Sequence, residues 1–403
     1  MTQHSVDVAV IGAGIVGLGI AWTMAESGRT VAVIDPAPAT GATYAAAGML
    51  APVSELHYQE EDLLELMLAS ARLYPTFIEP LGAAEAGYRT TATITVGADP
   101  ADRDSLADLR QAQLAHGLSV EQLTIREARS REPLLSPRLS SAFSTDQDHQ
   151  VDPRRLSDRL RSAIAAMAAA KKWTHDAFIQ QDAVGLLHER PSDAGSRVNG
   201  VALADGSTMR TGEVIVANGL SAGRLEGLPD WLALPLRPVH GDIIRLRIPD
   251  RLRPFLTSTI RGLVRGLPVY LVPRADGTVV LGATQREDGS GGVSAGGVHQ
   301  LLRDAQVLVP AVTELELIEV IARARPATPD NAPLLGRVTR RVDALEDDIP
   351  GLIVATGFFR HGVLLTPIAA QHCLHLIDGT ADDRWALFRP DRFSKPTPWR
   401  SEK

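Results

Sequence analysis

Residues Val6–Asp35 read VDVAVIGAGIVGLGIAWTMAESGRTVAVID, and this stretch decides the fold. The apolar run Val6–Ile11 predicts a buried strand. Gly12, Gly14 and Gly17 then stand in a G-x-G-x-x-G turn that opens a helix, and a second apolar run, Thr30–Ile34, ends on Asp35. Strand, turn, helix, strand and acid in register form a β-α-β unit suited to a dinucleotide. Gly12 allows the tight turn. Gly14 lets backbone N–H groups approach a pyrophosphate at the positive helix end, and Gly17 lets the helix lie close on the sheet. Asp35 offers a carboxylate to a ribose 2′-OH, which argues against a 2′-phosphate and so against NADP.

Outside this unit, bulk properties narrow the field. The chain has 403 residues, enough for a large core and two or three domains. Apolar residues make up 44% and charged residues 22%, as in ordinary globular proteins. A net charge of −7 with dispersed arginines gives no footprint for nucleic acid or an anionic membrane. Cys373 is the only cysteine, which excludes an intrachain disulfide and a thiolate metal cluster and fits a reducing cytoplasm. Val8–Trp22 is apolar but has no basic leader and is punctuated by glycine. It reads as the nucleotide unit and not as a signal peptide. No segment reaches membrane-spanning length, so the expectation is a soluble protein without stable membrane association.

Further along, Glu60–Tyr74 predicts a mostly buried helix ended by Pro75. Residues 88–98 alternate like a strand. Asp104–His116 predicts a helix stopped by Gly117, and Thr124 with Glu127 forms a capping box. Asp152-Pro153 starts a helix lined by Leu156, Leu160, Ile164 and Met167, with Arg154, Arg155, Arg159 and Arg161 on a solvated face. Residues 175–216 are strand-rich, and Asp276-Gly277 turns a hairpin within 268–284. Ala324–Leu335 reads as a Pro-rich loop, Leu352–Thr356 as a strand, Gly357–Gly362 as a turn and Val363–Ile377 as a helix. Segments that belong with the opening unit (1–85, 150–228, 322–380) alternate with segments that do not (86–149, 229–321), before a polar tail over 381–403. The fold class expected is α/β with α+β: a Rossmann-like nucleotide domain interleaved with a mixed-sheet domain.

These residues resemble the FAD-dependent D-amino-acid oxidase superfamily and, within it, the glycine oxidases of thiamine biosynthesis. The resemblance runs from about Val6 to about Phe393 and rests on three motifs. They are the opening fingerprint, the stretch TYAAAGMLAP (Thr43–Pro52), and the pair RARPATPDNAPLLG (Arg323–Gly336) and ATGFFRHGVLLTP (Ala355–Pro367). It implies an FAD domain overlaid by a mixed substrate sheet, oxidation of a small amino acid at Cα, and molecular oxygen as acceptor. It also implies a homo-oligomer and thiazole synthase as a partner. Arg325 would anchor the substrate carboxylate, because a guanidinium fork matches a carboxylate and stays charged when buried. Tyr270 would add its hydroxyl, and Arg360 resembles the family's second arginine near substrate and flavin. Besides the fingerprint glycines and Asp35, the resemblance assigns Thr43, Gly48, Met49, Leu50, Gly357, Gly362, Val363 and Leu364 to the cofactor, with Val184 beside the adenine. The chain departs from the family's pattern at Tyr44, Pro268 and Phe358. No general base and no metal ligand is assigned.

Other readings compete. Gly219–Gly223 (GLSAG) matches a nucleophile elbow, but no acid or histidine has a marked partner role. His372, Cys373 and His375 share a late helix, where packing explains them better than zinc. An oxidase of sarcosine or D-amino acids is the near alternative. A dehydrogenase with a quinone or carrier acceptor and a non-catalytic flavoprotein stand further off.

Overall fold

The computed structural model describes residues 5–191, 193–342 and 345–394. Two eight-stranded sheets organise it. The first runs in the order Leu334–Val342, Leu345–Thr356, Thr208–Val216, Ser5–Ile11, Val31–Ile34, Phe178–Ile179. The five strands from Leu345–Thr356 to Phe178–Ile179 are parallel, and Leu334–Val342 joins antiparallel at the edge. Ala183–His188 and Val198–Leu203 extend Thr208–Val216 as an antiparallel meander.

The opening strand is apolar throughout because both its faces are covered. Val8 and Val10 point into a core shared with the helices Ile15–Glu26, Glu61–Ile78, Pro153–Ala170 and Thr366–Asp378. Ala9 and Ile11 point into a second core built with the meander. The helix Ile15–Glu26 is buried on nearly every side, from Ile15 through Trp22 and again at Met24 and Ala25, so it shows no amphipathic stripe.

The second sheet is ordered Glu316–Ala327, Arg237–Arg247, Thr278–Gly282, Leu267–Pro273, Thr259–Val264, Thr93–Gly97, Ser141–Thr145, Glu121–Leu123. It is mixed: Thr259–Val264 runs parallel to Thr93–Gly97 and the other neighbours are antiparallel. One face packs on the helix Ala295–Leu308 through Leu301, Ala305 and Leu308. The other face carries a small apolar cluster of Ala45, Ala47, Ile243, Val272 and Val280, with Met49 and Tyr270 against it. Ala45, Ala47 and Met49 bring the segment that follows the first β-α-β unit onto that face.

Several expectations change. The Ala324–Leu335 region is not a loop throughout: Glu316–Ala327 is a full strand hydrogen-bonded along Arg237–Arg247. The boundary drawn at 321/322 therefore cuts a strand of the second sheet. The helix over 61–78 continues through Pro75, because Tyr74, Phe77 and Ile78 are buried and Phe77 meets Trp22 edge-on at 5.0 Å. The last helix starts at Thr366, after a turn over 363–365. Arg154 is only partly solvated: its guanidinium lies 3.4 Å from the Tyr44 ring centre and also pairs with Glu319 at 2.6 Å. Trp385 and Phe388 of the tail enter the main core, and residues 395–403 lie outside the described set. Among the described residues no helix is long and apolar enough to cross a membrane.

Candidate active site

The glycine turn has the geometry its sequence demands. Gly12 sits at φ +107°, and a Cβ there would stand 2.6 Å from the Ala217 carbonyl oxygen. A Cβ on Gly17 would stand 2.0 Å from the Gly12 oxygen, so only glycine lets the helix start so close to the strand. Asp35 bridges the turn: Oδ2 accepts from Ala13 N at 2.7 Å and Oδ1 from Ala37 N at 2.8 Å. Thr43 Oγ1 accepts from Ile15 N at 2.9 Å. The N–H groups of Gly14, Val16 and Gly17 have no protein acceptor among the described residues. They form an anion-ready helix end, as a pyrophosphate requires. Val184 stands apart, 40% exposed on the meander, with its carbonyl accepting from Glu226 N.

Two further segments shape a slot between the sheets. Gly48, at φ +69°, precedes the short strand Met49–Leu50, which pairs with His149–Gln150. A Cβ on Gly48 would meet the Val151 oxygen at 2.0 Å. Opposite in the chain, Gly357 at φ +72° opens the turn that leads to the last helix. The Val363 and Leu364 carbonyls accept from Tyr74 Oη at 2.7 Å and Ser70 Oγ at 2.6 Å, which fixes this turn on the helix Glu61–Ile78. The N–H groups of Gly362, Val363 and Leu364 have no acceptor among the described residues. Gly362 also lies beside Val16: a Cβ on Gly362 would stand 3.8 Å from Val16 Cγ2, so the two sets of open amides are neighbours. Small residues at 45–48, two open amide sets and a bridged acid fit a flat cofactor with a diphosphate tail.

The sheet face above this slot carries the charged side chains. Arg325 and Tyr270 come together, and the guanidinium charge acts on the phenol. Gly241 and Gly282 are the floor beneath them. A Cβ on Gly241 would stand 2.3 Å from Arg325 Nη1, and one on Gly282 would stand 2.5 Å from Tyr270 Oη. Arg325 Nη1 also donates to the Thr284 carbonyl at 3.3 Å. Phe359 N donates to the Pro326 carbonyl at 2.8 Å, tying the arginine strand to the Gly357–Gly362 turn. Burial pushes the Tyr270 hydroxyl upward, against the lowering charge of Arg325, so it stays a neutral donor.

Arg360 is also present, but its guanidinium is already engaged. Nε donates to Glu55 at 3.2 Å and Nη2 pairs with Glu60. Glu55 also pairs with Arg261, whose Nη1 lies 3.6 Å from Met49 Sδ. Burial alone would raise the Glu55 carboxyl. Arg261 and Arg360 outweigh it and hold the group well below the usual carboxylate range. Burial and the Arg360 charge depress His361 to about 3, and His57 is lowered by the same two causes. Asp148, fully buried, accepts from Val53 N at 3.1 Å, Ser54 N at 3.0 Å and the Ser54 hydroxyl, and so fixes the turn that presents Glu55. Sequence reading missed Glu55, Glu60, Arg261 and Asp148. The one signal available was the acids Glu55, Glu60, Glu61 and Asp62 shortly after the TYAAAGMLAP stretch. Ser221 of the GLSAG segment is exposed on a 3-10 helix, Gly219–Arg224.

A family model described as FAD dependent oxidoreductase matches residues 7–376. The chain belongs to this family. FAD is therefore the cofactor of this chain. The chain is 30% identical to the glycine oxidase of Geobacillus kaustophilus over 382 residues, 93% of each chain. The crystal structure of that enzyme superposes with a TM-score of 0.82 at 28% identity, covering 98% of this chain and 100% of the other. The chain is also 30% identical over 403 residues to the bifunctional protein ThiO/ThiG of Synechocystis sp., covering 98% of this chain but only 55% of the fused relative.

Proposed function

We propose that this protein is an FAD-dependent glycine oxidase that supplies the imine of glycine to the thiazole branch of thiamine biosynthesis. The observation that carries this reading is the pairing of Arg325 with Tyr270 over a glycine floor, on the sheet face turned towards the flavin slot. A planar guanidinium fork and a neutral phenol donor recognise one carboxylate and fix its orientation.

Bound FAD supplies the hydride acceptor, and oxygen returns it to the oxidised state with release of peroxide. The chain's own part is to bind, orient and keep dry. Arg325 and Tyr270 hold the acid end, so the Cα–H is presented in one direction. The Glu55 pairs close the polar side of the site without adding net charge. No side chain is needed as a base when the amine enters neutral, and both nearby histidines are held neutral by their surroundings.

In this reading the first sheet is the core of the FAD domain and the second that of the substrate domain. The fused relative ThiO/ThiG supports thiazole synthase as a partner, and a single buried cysteine suits a cytoplasmic setting. A homo-oligomer is part of the same proposal.

The test is direct. Purified protein should be yellow and release FAD on denaturation. Anaerobic glycine should bleach the visible flavin band, and in air glycine should yield peroxide and glyoxylate. Side-by-side rates with sarcosine and D-alanine set the subclass. Protein that keeps its flavin colour under anaerobic glycine, sarcosine and D-alanine alike overturns the oxidase assignment.

A further inference from the structure

A line of alternating charge runs beside the Arg325–Tyr270 pair. Arg261 pairs with Glu55, Glu55 with Arg360, and Arg360 with Glu60. All four side chains are at most 15% exposed. Two guanidinium groups thus face two carboxylates, and the array is neutral as a whole. His57 and His361 leave the balance unchanged, since both are depressed below their ordinary range. Tyr270 is held protonated. Of the charges acting on the Tyr270 hydroxyl, Arg325, Glu55 and Arg261, only that of Arg325 has no carboxylate partner among the described residues.

One unbalanced positive charge matches one carboxylate on a substrate whose amine is neutral. Where water is scarce this balance decides what enters, because an uncompensated buried charge is costly. Arg261 stands opposite Tyr270 across the strand pair and beside Met49, the nearest cation that a second carboxylate could seek, but Glu55 already engages it. A substrate with two carboxylates would meet the Glu55 oxygens and not a free guanidinium.

We propose that Glu55 is a specificity determinant: by neutralising, together with Glu60, the charges of Arg261 and Arg360 it restricts the site to substrates bearing a single carboxylate. This rests on the amino-acid oxidase reading above. The test uses FAD-loaded enzyme and two ligands that cannot be oxidised, acetate and malonate. Their dissociation constants are read from perturbation of the flavin spectrum and from competition with glycine.

Wild type should prefer acetate. Glu55→Gln frees Arg261 and should raise the malonate-to-acetate affinity ratio at least tenfold. The double variant Glu55→Gln/Arg261→Gln should return the ratio close to the wild-type value, which a merely structural role for Glu55 does not predict. An unchanged or lowered ratio in Glu55→Gln overturns the proposal. Should that variant fail to retain FAD, Glu60→Gln removes a carboxylate from the other end of the same array. It is expected to shift the ratio at least threefold in the same direction, and no shift again overturns the role. Wild type that neither binds acetate nor oxidises glycine refutes the oxidase reading itself. Wild type that does both, with an unmoved ratio in the variants, refutes only the role of Glu55.

Discussion

Arg325 has a different standing from the other arginines of the site. Arg261 and Arg360 are each bound to a carboxylate, whereas Arg325 spends one donor on the Thr284 carbonyl and meets Tyr270. Arg325→Ala should lower kcat/KM for glycine by about 2–5 kcal/mol, roughly 30- to 5,000-fold, while the visible flavin spectrum is kept. Steady-state peroxide assays beside a spectrum check this, and unchanged kinetics would remove Arg325 from substrate binding. Motif resemblance led to Arg325, Tyr270 and Arg360, but it could not reveal Glu55 or Arg261. These two are joined only when the chain brings positions 55 and 261 together. A lone acid in a sequence does not announce its partner.

His361 gives a prediction in pH. It is 2% exposed, its Nε2 has no hydrogen-bond partner among the described residues, and its folded pKa is lowered from 6.5 to about 3. Between those two values the unfolded chain binds more protons than the native one, so this contribution to stability is complete above pH 6.5 and is lost as pH falls towards 3. The steepest loss is about 1.4 kcal/mol per pH unit. His361→Asn should therefore show a smaller fall in Tm between neutral pH and about pH 4.5 than wild type. Equal falls would show that His361 does not titrate as its surroundings dictate.

At the scale of elements, the helix start against the first strand is the contact on which the proposed cofactor site depends. Gly17→Ala places a methyl group 2.0 Å from the Gly12 oxygen, and the helix must move or the turn must open. Overpacking of this kind costs about 1–3 kcal/mol. It also displaces the open amides of Gly14, Val16 and Gly17. The expected result is a lower flavin-to-protein absorbance ratio after gel filtration, and full retention would mean that these amides do not carry the diphosphate. This element was legible because glycine spacing, strand, helix and acid are all local. The strand Glu316–Ala327 was not. Its second half contains Arg323, Arg325 and Pro326, a text that reads as a loop, and only pairing along Arg237–Arg247 makes it a strand. The helix over 61–78 taught the same lesson in reverse, since buried Tyr74 and Phe77 hold it together across a proline that local propensity treats as a stop.

On the scale of the whole molecule, Cys373 reports on integrity. It is fully buried in the main core, and burial pushes its thiol up to about 12. A thiol reagent should leave native protein unlabelled and modify one site per chain in denaturant, so the labelling rate in dilute denaturant follows global opening. Rapid labelling of the native protein would show that the last helix, Thr366–Asp378, detaches on its own. Strands of the two sheets come in alternating blocks along the chain, and strand-helix text and strand-only text differ in period. Which strand joined which sheet at the seams was not legible, because that is settled by pairing between distant residues.

The central position of the opening strand bears on how the molecule is made. Ser5–Ile11 lies between Val31–Ile34, its near neighbour in sequence, and Thr208–Val216, about two hundred residues downstream. During synthesis, one long edge of that apolar strand stays bare until more than half of the polypeptide has left the ribosome, and Leu345–Thr356 closes the next rung later still. A growing chain of this design exposes a sticky, unfinished sheet for most of its translation, so its yield in a cell depends on protection of the nascent N-terminal third as much as on the stability of the finished fold.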